Sequence, residues 1–279
     1  MKTALKIVVL AENTAEGRGI RGEHGLAFWI VRDGRRILFD TGQGLVLSGN
    51  AAVLNVDLST AEAVVLSHGH YDHTGGLAQV LERVVRPLPV YVHPDALAPK
   101  YRATASDVRA IGMPDACLWA ARGSSVRLML SSIPLEIAPG IRLTGEIPRI
   151  HDEERSQEHF CLDAEGRQDD PAADDQALIV ETGTGIVVLL GCAHAGVINT
   201  LDRVRDLTDR APIREVVGGM HLRSATPERL AWTIRELRRF DIASLYPMHC
   251  TGFAATAALW QALPGRVQSA GAGAALTFD

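Results

Sequence analysis

Ser67-His68-Gly69-His70-Tyr71-Asp72-His73-Thr74-Gly75-Gly76 sets four potential metal ligands within six residues, directly behind the apolar run Ala63-Val64-Val65-Leu66. That run is short, valine-rich and bounded by turn residues, so it reads as a buried strand. Beyond the cluster, Leu77, Val80, Leu81 and Val84 recur at helical spacing, and the pattern predicts a helix beginning near Thr74 or Gly75. The cluster therefore lies on a loop between a strand and a helix, where two rigid elements fix it. Imidazole and carboxylate suit zinc, and also iron or manganese. A polar turn with chance histidines would not concentrate His68, His70, Asp72 and His73 in this way.

The rest of the chain must supply a core that holds such a loop. Its 279 residues are 47% hydrophobic and 22% charged, which supports a substantial globular interior. The formal net charge is -5 and no block of lysine or arginine occurs, so nucleic acid is not an expected partner. No apolar stretch approaches the roughly 20 residues that span a bilayer. Residues 5–10 read as an opening strand and not as a signal peptide, because no small-residue cleavage site follows. Cys117, Cys161, Cys192 and Cys250 show no C-x-x-C pairing, which implies neither a disulfide framework nor a zinc ribbon. A cytoplasmic protein is the expectation.

Strands are expected over Leu5 to Leu10, Leu26 to Val31 and Arg36 to Phe39, with Asp33-Gly34 forming a hairpin turn. Val90 to His93 is a further short strand. Residues 95–132 lack clean periodicity and form either a lid or inserted segment or an ordinary surface excursion. Residues 152–175 are acidic and polar, and read as an exposed loop. Strands then follow at Ala177 to Val180, Ile186 to Leu190, Ile213 to Val217 and Ile242 to Tyr246. Helices are expected from Val197 and from Thr226-Pro227, a cap residue followed by proline at the first helical position. Helices alternate with strands late in the chain and no linker divides it, so a single α/β domain spanning 1–279 is expected.

His194, His221 and His249 each follow an apolar strand by a few residues, as the main cluster does. Loops after strand ends tend to converge at one edge of a sheet, where α/β proteins place ligand sites. His194 and His249 are therefore candidate ligands, and His221 stands open between substrate contact, support of a ligand and a structural role. His24, His93, His151 and His159 read as surface or turn residues. Cys192 and Cys250 read as small buried hydrophobes, with Cys192 also a candidate soft ligand. Asp40 closes the strand before Thr41-Gly42. It is either a turn residue or an acceptor for a ligand histidine or water.

The stretch His68-Gly69-His70-Tyr71-Asp72-His73 resembles the His-x-His-x-Asp-His signature of the metallo-β-lactamase superfamily, and Phe39-Asp40-Thr41-Gly42 resembles that superfamily's upstream motif. With Gly191-Cys192-Ala193-His194-Ala195-Gly196, Gly218-Gly219-Met220-His221-Leu222 and His249-Cys250-Thr251-Gly252, the chain resembles one subgroup. Its members are metal-dependent hydrolases related to dihydropterin–ribofuranosylaminobenzene phosphate synthase. The resemblance implies a four-layer αββα sandwich with one or two divalent metals, zinc first. It assigns His68 and His70 to the first metal, Asp72 and His73 to the second, and His249 to completing the second. The superfamily's usual Pro-Gly-His and bridging-aspartate turns are replaced here, with His194 standing in as ligand and Glu146 and Cys192 as lesser candidates.

A metal centre of this kind ionises water near neutral pH and stabilises charge on the oxygen under attack. Asp72 would orient or deprotonate that water, and His221 would donate a hydrogen bond to the substrate. Three functions follow as expectations: hydrolysis of an ester or phosphorylated small molecule, a pterin condensation like the subgroup's namesake, or metal-dependent binding without catalysis.

Overall fold

The Asp33-Gly34 turn takes positive φ at both positions, 52° and 75°. This is the primed geometry whose twist matches two paired strands, and Arg32 sits opposite Arg35 across it. The computed structural model describes residues 4–123 and 126–279. Two units form, each around one large sheet. One comprises Met1–Ser132, His159–Asp174 and Gly271–Asp279, and the other comprises Ile133–Glu158 and Asp175–Ala270.

The first unit holds a seven-stranded sheet in the order Ala275–Phe278, Leu5–Ala11, Ala27–Arg32, Arg35–Phe39, Ala63–Val65, Leu88–Val92 and Val126–Leu130. The first four strands pair antiparallel and the last four run parallel. Near-continuous apolar strands need cover on both faces. One face, with Leu10, Trp29, Leu38, Val64 and Val90, packs against the helices Leu47–Val53, Leu77–Leu81 and Asp115–Ala121. The alternate residues Ile7, Val9, Phe28, Ile30 and Phe39 are also fully buried, and the Phe28 and Phe39 rings stack at 6.3 Å. Within residues 95–132, Tyr101–Ala103 and Val108–Ala110 form a small sheet with His159–Cys161.

The helix expected after the metal-ligand cluster divides into a single turn, Tyr71–Thr74, and a second helix, Leu77–Leu81. Gly75-Gly76 breaks it. Gly76 donates to Gly42 O and to Thr41 Oγ1, and a side chain at Gly76 would collide with Thr41 O.

The second unit's sheet runs Ser244–Met248, Ile213–Gly219, Ile186–Leu190, Leu178–Glu181, Ile141–Leu143 and Leu135–Ala138. Its helices Val197–Leu207, Pro227–Leu237 and Phe253–Ala262 pack on the face bearing Ile179, Val188, Leu190 and Val216. Thr226 caps its helix as expected, with Oγ1 accepting from Arg229 N at 3.2 Å. Helix Phe253–Ala262 carries no periodic signal, because its sequence, FAATAALWQA, is apolar on nearly every side and shows no stripe. All four cysteines are buried and unbridged. No helix among the described residues is long and apolar enough to cross a membrane.

The acidic stretch 152–175 departs from the exposed loop that its composition suggests. Glu154, Asp174 and Asp175 are each 2% exposed or less. A carboxylate can be buried when backbone N–H groups or a cation satisfy it, and each of these three accepts at least one such bond.

Glu154 caps helix Val197–Leu207 from outside it, accepting from Ile198 N at 2.9 Å and Asn199 N at 2.6 Å. Gly196, at φ 104°, leaves room for that carboxylate, which a Cβ would strike. Burial raises the Glu154 carboxyl from 4.5 to about 7, although its amide bonds pull the other way. The folded value lies above the unfolded one, so this contribution is full below pH 4.5 and is lost as pH rises through about 7. The shift corresponds to about 3 kcal/mol. Urea unfolding at mildly acidic and mildly alkaline pH is therefore expected to show wild type losing stability across that range, with the loss reduced by about that amount in Glu154→Gln. Equal slopes in the two proteins would remove Glu154 as the cause.

Candidate metal centre

In the first unit the chemistry starts from Asp40, fully buried and held at φ 57° at the end of strand Arg35–Phe39. Its Oδ1 accepts from Ser67 N at 2.7 Å. Its Oδ2 accepts from Ser67 Oγ at 2.7 Å and from His73 Nδ1 at 2.7 Å. An ionised carboxylate only accepts, so His73 carries a proton on Nδ1, which leaves Nε2 as the ring nitrogen able to offer a lone pair. The Ser67 hydroxyl donates its hydrogen to Asp40, so its oxygen accepts from His68 Nδ1, 2.9 Å away. The lone pair of His68 is thereby also placed on Nε2. One carboxylate, reaching one ring directly and the other through a hydroxyl, fixes both tautomers.

His68 Nε2 lies 3.0 Å from His70 Nδ1. The His68 ring centroid is 4.5 Å from that of His70 and 4.3 Å from that of His73. All three rings are buried. Burial holds His68 well below the ordinary histidine value and brings His70 down to about 4, so neither is protonated at neutral pH. Closely gathered imidazoles, two of them neutral, are the donor set a divalent transition metal takes. Asp72 Oδ2 stands 4.0 Å from His73 Nε2 and 3.1 Å from His24 Nε2. His24, read from sequence as a surface residue, thus belongs beside the cluster. Nothing in its spacing signals this, because a long loop brings it there.

Gly69, between two of these histidines, is packed so closely that a side chain would collide with Ala96. The loop backbone is fixed on the other side by Thr41, whose N and Oγ1 donate to His73 O at 2.7 and 2.9 Å. Leu26 N donates to Asp72 O at 3.2 Å.

In the second unit, three strand-end loops come together as the sequence suggests. Gly219 N donates to Gly191 O at 3.1 Å, Met220 N to Thr251 Oγ1 at 3.0 Å, and His221 N to Cys250 Sγ at 3.3 Å. The His194 and His221 rings lie 4.3 Å apart. Ala193, His221 and His249 all take positive φ, 49–55°, a strained state for residues with side chains. Ligand atoms of Cys192, His221 and Cys250 lie within 4.8 Å of one another, all buried. Cys192 is therefore placed among candidate donors, whereas Glu146 is exposed.

His221 Nε2 is 2.8 Å from a Glu158 carboxylate oxygen. Burial would lower its pKa, but the Cys250 hydrogen bond and the Glu158 pairing outweigh this and raise it to about 9. His221 is thus an imidazolium at neutral pH, the opposite state to His68 and His70. Sequence reasoning missed Glu158, which lies in the acidic stretch read as solvent-exposed.

Residues 20–249 match the model of the metallo-beta-lactamase superfamily. The chain is 29% identical over 262 residues to 7,8-dihydropterin-6-methyl-4-(beta-D-ribofuranosyl)-aminobenzene-5'-phosphate synthase of Methanocaldococcus jannaschii, covering 90% of this chain and 89% of the relative. An uncharacterized protein of the same organism is 32% identical over 256 residues, covering 91% and 94%. Among solved structures, a metal-dependent hydrolase of the beta-lactamase superfamily superposes with a TM-score of 0.82 at 28% identity, covering 98% of both chains.

Replacing Asp40 by asparagine would put an amide donor against the donors of Ser67 or His73 and disturb both tautomers. Asp40→Asn is expected to weaken zinc binding about 10- to 100-fold in competition with a chromophoric chelator. Unchanged affinity would mean that the tautomers are set elsewhere.

Proposed function

We propose that this chain, which belongs to the metallo-beta-lactamase superfamily, is a metal-dependent enzyme that hydrolyses an ester or phosphorylated small molecule. His68, His70 and His194 are the proposed ligands of a first divalent ion, most simply zinc, and Asp72, His73 and His249 those of a second. A cation held by these groups supplies a nucleophile from water at neutral pH and positive charge opposite the oxygen under attack. The observation that carries this reading is the proton arrangement around Asp40, which leaves His68 and His73 with lone pairs on Nε2.

The chain's own groups divide the remaining work. Asp72, whose carboxylate Oδ2 lies 4.0 Å from His73 Nε2, is the proposed acceptor of the water's proton. His221, held protonated by Cys250 and Glu158, is the proposed donor to an anionic substrate oxygen, a phosphate or a developing alkoxide. Ser67 and Asp40 move no proton to substrate; they hold the imidazoles in one orientation.

A second reading, condensation to a coupled pterin product, is favoured by the identity to the M. jannaschii synthase along nine-tenths of the chain. The same donor set and the same cationic His221 would serve it. Metal-dependent binding without catalysis is disfavoured, since the cluster retains every donor of the motif.

The chelator-stripped protein, reloaded with zinc, manganese or iron, is to be assayed on a phosphodiester, a phosphomonoester and a lactone. Turnover is expected to need metal and to vanish in His70→Ala, while turnover that survives chelation would contradict the reading. Formation of the coupled dihydropterin product instead would select the condensation. His194→Ala is expected to lower the bound metal by elemental analysis, and unchanged content would remove His194 from the ligand set. Removing the Glu158 charge lowers the His221 pKa, so Glu158→Gln is expected to move the alkaline limb of the kcat/KM profile to lower pH. A limb that stays in place would take His221 out of the proton-donor role.

A further inference from the structure

Two buried carboxylates adjacent in sequence, Asp174 and Asp175, are used by none of the chemistry above. Asp174 lies in the first unit and Asp175 in the second, and each is 2% exposed or less. Asp174 Oδ2 accepts from Gly69 N at 2.8 Å, the amide of the peptide that joins His68 to Gly69. Asp175 Oδ2 accepts from Ala195 N at 2.8 Å, the amide of the peptide that joins His194 to Ala195. The oxygen of that second peptide, His194 O, accepts from Arg149 Nη1 at 2.8 Å. Both ends of its plane are therefore held by ionic side chains.

We infer that Asp174 and Asp175 are positioning residues for metal binding, Asp174 setting the loop that carries His68 and His70 and Asp175 the loop that carries His194. The inference rests on the reading of those histidines as ligands. A peptide plane fixed at its N–H sets the backbone torsions on either side, and with them the direction in which the flanking side chains leave the chain. Gly69 has no slack to compensate, since it is packed against Ala96. A charge-assisted bond from a carboxylate to a backbone N–H is about twice as strong as a neutral one, which suits it to holding a loop.

Asp174 is in turn anchored. Lys100, 2% exposed, places Nζ 2.9 Å from Asp174 Oδ1 and 2.8 Å from Asp170 Oδ2. The two Asp174 oxygens thus divide the work, Oδ1 to the ammonium and Oδ2 to the loop amide. A buried ion pair is a poor source of stability compared with apolar side chains of the same volume. Orientation of a loop is a function that apolar side chains could not supply. Asp170 shares the ammonium but does not reach the loop, which provides an internal comparison.

The test uses the full chain and Zn2+ alone. Zinc affinity is measured by chelator competition, the Co2+ visible spectrum reports ligand geometry, and thermal unfolding of the metal-free protein reports stability. Wild type, Asp170→Asn, Asp174→Asn and Asp175→Ala are compared, with His70→Ala as the ligand-loss reference. Asparagine at 174 keeps one acceptor oxygen for two donors. Asp174→Asn and Asp175→Ala are expected to weaken zinc about 10- to 100-fold and to shift the Co2+ bands, with Asp170→Asn staying within about threefold of wild type. Equal losses in Asp170→Asn and Asp174→Asn would overturn the inference in favour of a general electrostatic role, and wild-type affinity in Asp174→Asn and Asp175→Ala would overturn it outright. If Asp174→Asn does not fold, Asp175→Ala decides, since it acts on a different loop. A wild type that takes up no zinc, like His70→Ala, overturns the metal reading itself, a result distinct from a wild type that binds while the carboxylate variants bind equally well.

Discussion

The structure depends first on where protons sit around one buried carboxylate. Asp40 can only accept, so the three donors it faces have their hydrogens assigned: the Ser67 amide, the Ser67 hydroxyl and His73 Nδ1. The Ser67 hydroxyl then dictates the tautomer of His68. In both rings the hydrogen on Nδ1 is thereby committed, which leaves Nε2 as the nitrogen turned to ligand donation before any ligand arrives. Ligand binding of this kind avoids the cost of ordering and deprotonating donors.

Burial does complementary work. Desolvation disfavours the charged form of His68 and His70, which is the direction needed for lone-pair donation. The same effect acts on His221, but there the Cys250 hydrogen bond and the Glu158 carboxylate outweigh it and the ring stays protonated. Histidines buried to similar degrees thus hold opposite protonation states, and the difference lies in the Cys250 hydrogen bond and the Glu158 pairing that outweigh burial at His221. Separating neutral donors from a cationic donor is the division of labour that hydrolysis or transfer at an anionic substrate calls for.

Much of the frame was legible in the chain. Val64 and Val65 announce a covered strand, Asp33-Gly34 a primed turn, and Thr226-Pro227 a capped helix, because each signal is local and its geometry follows from the residues themselves. The His68–His73 cluster was legible for the same reason. Its supporting residues were harder to see. Asp40 was readable as one of two alternatives, since its place at a strand end is local but its partners are not. Glu158, Asp174 and Asp175 sit in a stretch whose charge reads as solvent-facing, and only tertiary contacts with His221, Gly69 and Ala195 show why the first is drawn inward and the other two are buried. His24 reaches Asp72 through a loop with no periodicity to read.

The central claim is that His68 and His70 are neutral and share a divalent ion. Crystals of the zinc-loaded protein measured on both sides of the zinc absorption edge test it most directly. The account predicts an anomalous peak about 2.0–2.1 Å from both His68 Nε2 and His70 Nδ1, the ordinary zinc–imidazole distance. A zinc-saturated crystal with no peak there, and the two rings still hydrogen-bonded to each other, would contradict it.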